Sequence, residues 1–303
     1  MPRLSVILPA HNAEHTIGRA VRSTLASMDA DSELVVFDDA STDGTVGVLE
    51  TIADRRLRMV SSPVSLGVAG ALNALLEATD SELVARMDAD DAMLRRRLAR
   101  QRRAIDGGLD VVFTTVVLWR PDRHTMRPPA PASIGPDAFR YHLLVTNPVA
   151  HSTMFARRAP LERAGGYRAV PSEDYDLWVR LAIDGARMAR LGLPGLLYRV
   201  HPNQITSSME WRHSSWLDPT LGESFADLSE SLLGERFSRL TTLGFTAPDR
   251  RTFDDKAAAF RAAFLRGTAA LPRGPRMVLE RELGDRTAAA ANVADGRFRA
   301  AAS

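Results

Sequence analysis

Three observations predict an α/β protein with a mostly parallel central sheet, helices flanking it, and a helical C-terminal extension. Short apolar runs alternate with segments of helical spacing over the first 120 residues. The runs are continuously apolar, as strands covered on both faces are. From about residue 208 onward the chain is rich in Ala and Arg and reads as helices and linkers.

Strands are expected at 4–8, 34–37, 57–60, 83–87 and 111–118, with helical spacing at about 14–28, 43–54, 67–78 and 93–105. Residues 120–135 are proline-rich and aperiodic, which reads as a loop. A short helix over 136–145, a strand over 152–157 and a helix within 165–185 follow. A strand pair over 187–192 and 195–200 is expected, with Pro194-Gly195 as its turn. Residues 1–205 are read as the main domain, with halves at about 1–120 and 136–205, and 206–303 as the extension.

Of the 303 residues, 45% are hydrophobic, an ordinary share for a soluble globular chain. The absence of cysteine excludes disulfides, thiolate metal sites and thiol nucleophiles. Any metal therefore rests on oxygen ligands, with a histidine at most. Lys256 is the only lysine, and the arginines do not concentrate with aromatics, so nucleic acid is not an expected partner. "RRRLARQRR" over 95–103 suits a solvated helix face or one aimed at phosphates. No apolar run reaches the roughly 20 residues a bilayer needs, and the N-terminus lacks a signal-peptide pattern, so a cytoplasmic location is expected.

In parallel sheets ligands bind beyond the carboxyl ends of the strands. That rule gathers "PAHN" (9–12), "DDASTDGT" (38–45) and "DADD" (88–91) at one edge. Helix capping explains part of the second cluster but not the Asp38-Asp39 pair. A carboxylate there can accept from a ribose hydroxyl or a base imide. In extended backbone Asp88 and Asp90 project to one side, with Arg86 on the same face. Two carboxylates on one face suit Mg²⁺ or Mn²⁺. Asp91 reads as the cap of the next helix. In "SEDYDLWVRL" (172–181), Glu173, Asp174 and Asp176 open a helix. Helix-dipole pairing and a general-base role both fit them. Arg180 lies four residues past Asp176 and is placed to hold it, leaving Asp174 freer. His151 alone reads as structural, while a neutral His201 at a strand end can supply a metal ligand.

Together, "SVILPAHN", "VVFDDASTDGT", "LGVAGALN", "ARMDADD", "GGY…SEDYDLWVRL" and "YRVH" resemble, in order and spacing, the family-2 glycosyltransferases with the Rossmann-like GT-A fold, over about residues 3–205. The resemblance implies an inverting transferase that uses a nucleoside-diphosphate sugar, a UDP-sugar by preference, with Mg²⁺ or Mn²⁺. It implies a nucleotide-sugar site of Pro9, Ala10, Asn12, Asp38, Asp39, Gly67, Arg86, Asp88 and Ala89, with Asp39 on the base. Asp88, Asp90 and His201 are the implied metal ligands and Asp174 the catalytic base. Glu173, His151, Trp178 and Arg180 are supporting or acceptor-side candidates. The chain departs from the family pattern at His11, where tyrosine is common, and at Ser65-Leu66, where asparagine often precedes the glycine.

Two rivals remain at this stage. A sugar-phosphate nucleotidyltransferase shares the sheet and paired aspartates, but such enzymes begin with a glycine-rich loop and a lysine, and this chain has neither there. The other is a non-catalytic nucleotide-binding or scaffold protein whose helical tail is the working part. The tail carries Trp211, Trp216 and an apolar stripe of Leu228, Leu232, Leu233 and Phe237. Helix packing is the plain reading; a homodimer interface, a cover for the acceptor and a peripheral membrane contact are the alternatives. The acceptor hydroxyl is not specified.

Overall fold

The computed structural model describes residues 2–127, 132–201, 204 and 208–302. The elements run β1 (Leu4–Ala10), α1 (Ile17–Leu25), β2 (Ser32–Asp39), α2 (Thr45–Glu50), β3 (Leu57–Ser62), α3 (Gly67–Glu77), β4 (Leu83–Arg86), β5 (Ala92–Met93), α4 (Arg97–Asp106), β6 (Val111–Arg120) and β7 (Thr125–Arg127). There follow α5 (Pro136–Leu143), β8 (Phe155–Arg157), α6 (Arg158–Arg163), α7 (Glu173–Ile183) and β9 (Met188–Arg199). The tail holds α8 (Met209–Leu217), α9 (Pro219–Leu233), α10 (Leu240–Thr246), α11 (Arg250–Gly267) and α12 (Arg273–Ala302).

The chain divides into two compact units. The first comprises 1–134, 149–169 and 186–204; the second comprises 135–148, 170–185 and 205–303. The second unit therefore gathers the tail with two segments that the sequence reading assigned to the main domain. The physical reason is burial: Phe139, Leu143, Leu177 and Leu181 lose their water, as do Leu221, Phe225, Phe260 and Leu283 of the tail.

The first unit is built on one sheet with the order β3-β2-β1-β4-β8-β6-β9-β5, β7 pairing with β6. β3, β2, β1 and β4 are mutually parallel, β8 runs against β4 and β6, and β9 is again parallel to β6. Leu4, Val6, Leu8, Leu34, Val36 and Ala85 join Ile17, Val21 and Leu98 in its core. Register aligns the strand ends: Ala10 lies beside Asp38, and Ile7 beside Arg86. The strand-following clusters thus share one sheet edge.

Three expectations change. Residues 121–127 are not all loop, since β7 pairs antiparallel with β6; residues 128–131 lie outside the described set. The expected strand at 152–157 is a 3₁₀ turn at His151–Thr153 followed by β8. The expected strand pair is a single strand, β9. Pro194-Gly195 makes a bulge there, with register shifts against Thr114, Thr115 and Val116. Pairing of both halves of β9 with the same β6 strand stops the dipeptide from reversing the chain.

Gly195 allows that bulge: a Cβ on it would lie 2.3 Å from Thr114 Oγ1 and 2.9 Å from Thr114 Cβ. Gly195→Ala is expected to destabilise the chain by about 1–3 kcal/mol, read as a lower midpoint in chemical denaturation. An unchanged midpoint would show that Thr114 yields without strain.

Candidate active site

The β1–α1 and β2–α2 loops are stitched together by short polar side chains. Asn12 Oδ1 accepts from Thr42 N at 2.8 Å, and Asn12 N donates to Ser41 Oγ at 2.9 Å. Asn12 holds φ +49°, the left-handed region that asparagine tolerates. Ala13 N donates to Thr45 Oγ1 at 2.7 Å, and Gly44 N to Glu14 Oε2 at 2.8 Å. A ring nitrogen of His11 donates to the Asp39 carbonyl at 2.7 Å. Asn12 is therefore a brace between loops.

Asp38 and Asp39 have different surroundings. The Asp39 carboxylate accepts from Ser65 Oγ (2.8 Å), Leu66 N (2.6 Å) and Gly67 N (3.1 Å). These bonds shape the loop entering α3, where Gly67 holds φ +67° and open space surrounds its Cβ position, so backbone conformation alone calls for glycine. Asp38 is as buried as Asp39, yet its Oδ1 has no hydrogen-bond partner among the described residues. A buried carboxylate oxygen left without a donor is costly unless a ligand supplies one. Asp39 thus already holds three donors, while one Asp38 oxygen has none among the described residues.

Beyond β4, Asp88, Asp90 and Asp91 bring their ligand oxygens within 4.8 Å of one another. Arg86 reaches Asp88 at 2.6 Å, as their shared face predicts. Asp90 Oδ2 meets His201 Nε2 at 3.1 Å, joining residues 111 apart in sequence. Burial, then the Asp88 charge, pushes the Asp90 carboxyl above the usual carboxylate range. Asp91 is pushed well above it by burial and by both neighbours. Ala89 is the half-buried spacer.

Asp91 is not a helix cap. α4 begins only at Arg97, and β5 intervenes between them. Asp91 is 1% exposed and accepts from Ser152 Oγ and Arg199 N, each at 2.9 Å. Those bonds tie the His151–Thr153 turn and the end of β9 to the acidic loop, two residues before His201. Arg97, read from sequence as part of a solvated or phosphate-facing face, is 1% exposed. It donates to the carbonyls of Arg86 and Met154 at 3.0 and 3.2 Å. Burial lowers its pKa to about 9, and the Asp91 charge opposes that shift. It is a buried counter-charge to the acidic loop.

The residues present fit a hard divalent cation. Asp88 and Asp90 remain partly accessible, carry oxygen donors and stand beside an imidazole. Asp91 lies in the same cluster, but each of its oxygens already accepts a bond from the protein.

In the second unit, α7 divides its acids. Asp176 is fully buried, accepting from Arg180 Nε (2.8 Å) and Ser224 Oγ (3.0 Å), so it is structural, as the spacing predicts. Asp174 is half-buried; its Oδ1 accepts from Tyr175 N at 2.7 Å and its Oδ2 from Asn147 Nδ2 at 2.8 Å. Glu173 is half-buried at the helix start, and Trp178 is wholly buried in the core. In the first unit, His151 Nε2 lies 3.0 Å from the Tyr167 hydroxyl. Sequence reasoning missed Asn147, Ser152 and the role of Arg97. Of these only Asn147 left a trace, a polar residue before Pro148, which biases it out of helix.

Residues 5–165 match the family described as Glycosyl transferase family 2. The chain is 30% identical over 209 residues to the "Putative glycosyltransferase EpsE" of Bacillus subtilis (strain 168), covering 66% of this chain and 73% of that one. It is 24% identical over 209 residues to the Escherichia coli "UDP-Glc:alpha-D-GlcNAc-diphosphoundecaprenol beta-1,3-glucosyltransferase WfaP", covering 69% and 81%. Among solved structures, S. aureus TarS 1-349 in complex with UDP-GlcNAc superposes with TM-score 0.62 at 18% identity, covering 99% and 92%. The mannosyltransferase PcManGT from Pyrobaculum calidifontis, in complex with GDP-Man and Mn2+, does so at 0.56 and 22% identity, covering 96% and 86%. The fold is GT-A.

Two outcomes follow from this geometry. Protons compete with a cation for Asp90, whose carboxyl burial pushes up, so the Tm rise that Mn²⁺ gives should shrink as the pH falls toward the carboxylate range. A pH-independent shift in differential scanning fluorimetry would count against this. Asp91→Asn, able to keep partners for Ser152 and Arg199, should bind Mn²⁺ as wild type does. Asp91→Ala should lose about 1–3 kcal/mol of stability in a urea titration.

Proposed function

Because the chain belongs to glycosyl transferase family 2, and is therefore a glycosyltransferase, we propose that it moves a sugar from a nucleoside-diphosphate sugar to an acceptor hydroxyl with inversion. The observation that carries this reading is the meeting of Asp88, Asp90 and His201 beyond β4, at the same sheet edge as Asp38 with its unsatisfied oxygen. The UDP-GlcNAc complex of TarS and the UDP-Glc of WfaP's name support a UDP-sugar, while PcManGT's GDP-Man is the alternative nucleotide.

Asp38 accepts from the base or ribose, with Asp39 and Gly67 holding the loop beside it; Pro9, Ala10 and Asn12 form the adjoining wall. Asp88, Asp90 and His201 hold Mn²⁺ or Mg²⁺, with Mn²⁺ supported by the PcManGT complex. Bound there, a divalent cation supplies positive charge for the diphosphate. Arg86 fixes Asp88 and adds a second positive charge. Asp174 takes the proton of the acceptor hydroxyl as its oxygen attacks the anomeric carbon. The new C–O bond forms as the bond to the diphosphate breaks, and the electron pair leaves with the diphosphate.

WfaP's name places its acceptor sugar on diphosphoundecaprenol. An acceptor presented at a membrane surface is the corresponding proposal for this chain, met from the cytoplasmic side. No helix among the described residues is long and apolar enough to cross a membrane.

Asp90→Ala is expected to abolish metal-dependent turnover of UDP-glucose or UDP-GlcNAc while leaving the far-UV spectrum unchanged. Asp174→Asn should bind donor with near wild-type affinity but lose transfer by about 10²–10⁴-fold; near-normal turnover would remove it as the base. The product's anomeric configuration, read by NMR, decides inversion against retention.

A further inference from the structure

We propose that Asn147 is the positioning residue for Asp174, and that α12 holds it in place. The inference rests on the reading of Asp174 as the base. A general base works only if the oxygen that takes the proton faces the substrate, and a carboxylate on a helix's first turn can rotate. Here both oxygens are engaged. Oδ1 accepts from the backbone N–H of Tyr175, which restricts rotation but is available to any aspartate in this local conformation. Oδ2 accepts from Asn147 Nδ2, which comes from a different part of the chain. A carboxylate only accepts, so the amide must present its NH₂ to it. That bond selects one rotamer of Asp174 and so sets the direction in which its carboxylate faces.

Asn147 lies in no helix or strand, so something else must hold it. α5 ends at Leu143, and Pro148 cannot donate a backbone hydrogen bond. The segment between is fastened from several sides. Arg286 of α12 donates to Thr146 Oγ1 at 2.8 Å, immediately before Asn147. Glu282, one helical turn earlier on α12, meets the buried His142 at 2.8 Å. Tyr141 donates to the Gly267 carbonyl at the end of α11 at 2.8 Å, and Tyr175 donates to the Leu143 carbonyl. The last turn of α5 is thus bound to α11, α12 and α7, and the chain leaves it with Asn147 directed at Asp174. Glu282 and Arg286 stand at i and i+4 on one face of α12. The tail that sequence reading left without a role carries the support for the base.

The test is a double-mutant cycle in the full-length chain. It uses Mn²⁺ and whichever of UDP-glucose, UDP-GlcNAc and GDP-mannose the wild type turns over, reading nucleotide release. Asn147→Ala should lower kcat by about 10–100-fold, with donor KM within about 2-fold of wild type. In an Asp174→Asn background the same substitution should cost nothing further, because the group it positions is already gone. Arg286→Ala should lower kcat by about 3–10-fold and be non-additive with Asn147→Ala. Asn147→Leu keeps the volume and removes the donor, so it should repeat the alanine result even where alanine impairs folding. Equal losses from Asn147→Ala in the wild-type and Asp174→Asn backgrounds, or a change confined to KM, would overturn the proposal. Near wild-type turnover by Asp174→Asn alone would instead overturn the base assignment.

Discussion

Three carboxylates within four residues cannot share a half-dry pocket without separate partners, and much of the first unit is arranged around that repulsion. Arg86 answers Asp88, and His201 answers Asp90. Asp91 is answered by Ser152, by the Arg199 backbone and by the charge of buried Arg97. The answers come from four elements, so the acidic loop draws β4, the His151–Thr153 turn, α4 and the end of β9 to one place. The same crowding that a divalent cation would relieve is what assembles the site.

In the second unit, α7 gives two neighbouring carboxylates different surroundings. Asp176 is anchored by Arg180 of its own helix and by Ser224 of α9. Asp174, one half-turn earlier, keeps partial exposure and receives a bond from outside its helix. Of two acids on one helix turn, one is held inside and the other is held out. Burial and surroundings, not residue type, make the distinction.

The sheet and its acid-lined edge were legible because apolar runs and the residues that end them are local signals. Strands at Leu4–Ala10, Ser32–Asp39 and Leu83–Arg86 announce themselves by composition, and parallel register then brings their ends together. The pairing of Arg86 with Asp88 and of Arg180 with Asp176 followed from period two and period 3.6. What escaped depends on contacts across long separations. Asp91 looked like a helix cap because its real partners lie 61 and 108 residues away. Arg97 looked solvated because its neighbours in sequence are arginines, and only the tertiary fold buries it. Asn147 leaves only the trace of a polar residue before Pro148, which says that it is outside a helix and not what it faces. The grouping of α5 and α7 with the tail was equally invisible, because each helix alone only advertises an apolar face.

The bulge in β9 has a consequence for how this fold tolerates change in length. Thr114 pairs with Leu191, yet Val116 pairs with Leu196, so β9 uses more residues than β6 over the same stretch. Side chains alternate along a strand, and a one-residue change reverses which way every later one faces. Removing a single residue at Gly195 would therefore swap the orientation of Tyr198 and Arg199 and draw the residues after them, His201 included, back by about 3.3 Å. Loops in this chain can lengthen with little penalty, but the spacing between Pro194 and His201 cannot drift. The irregularity acts as a length gauge that sets where the histidine falls.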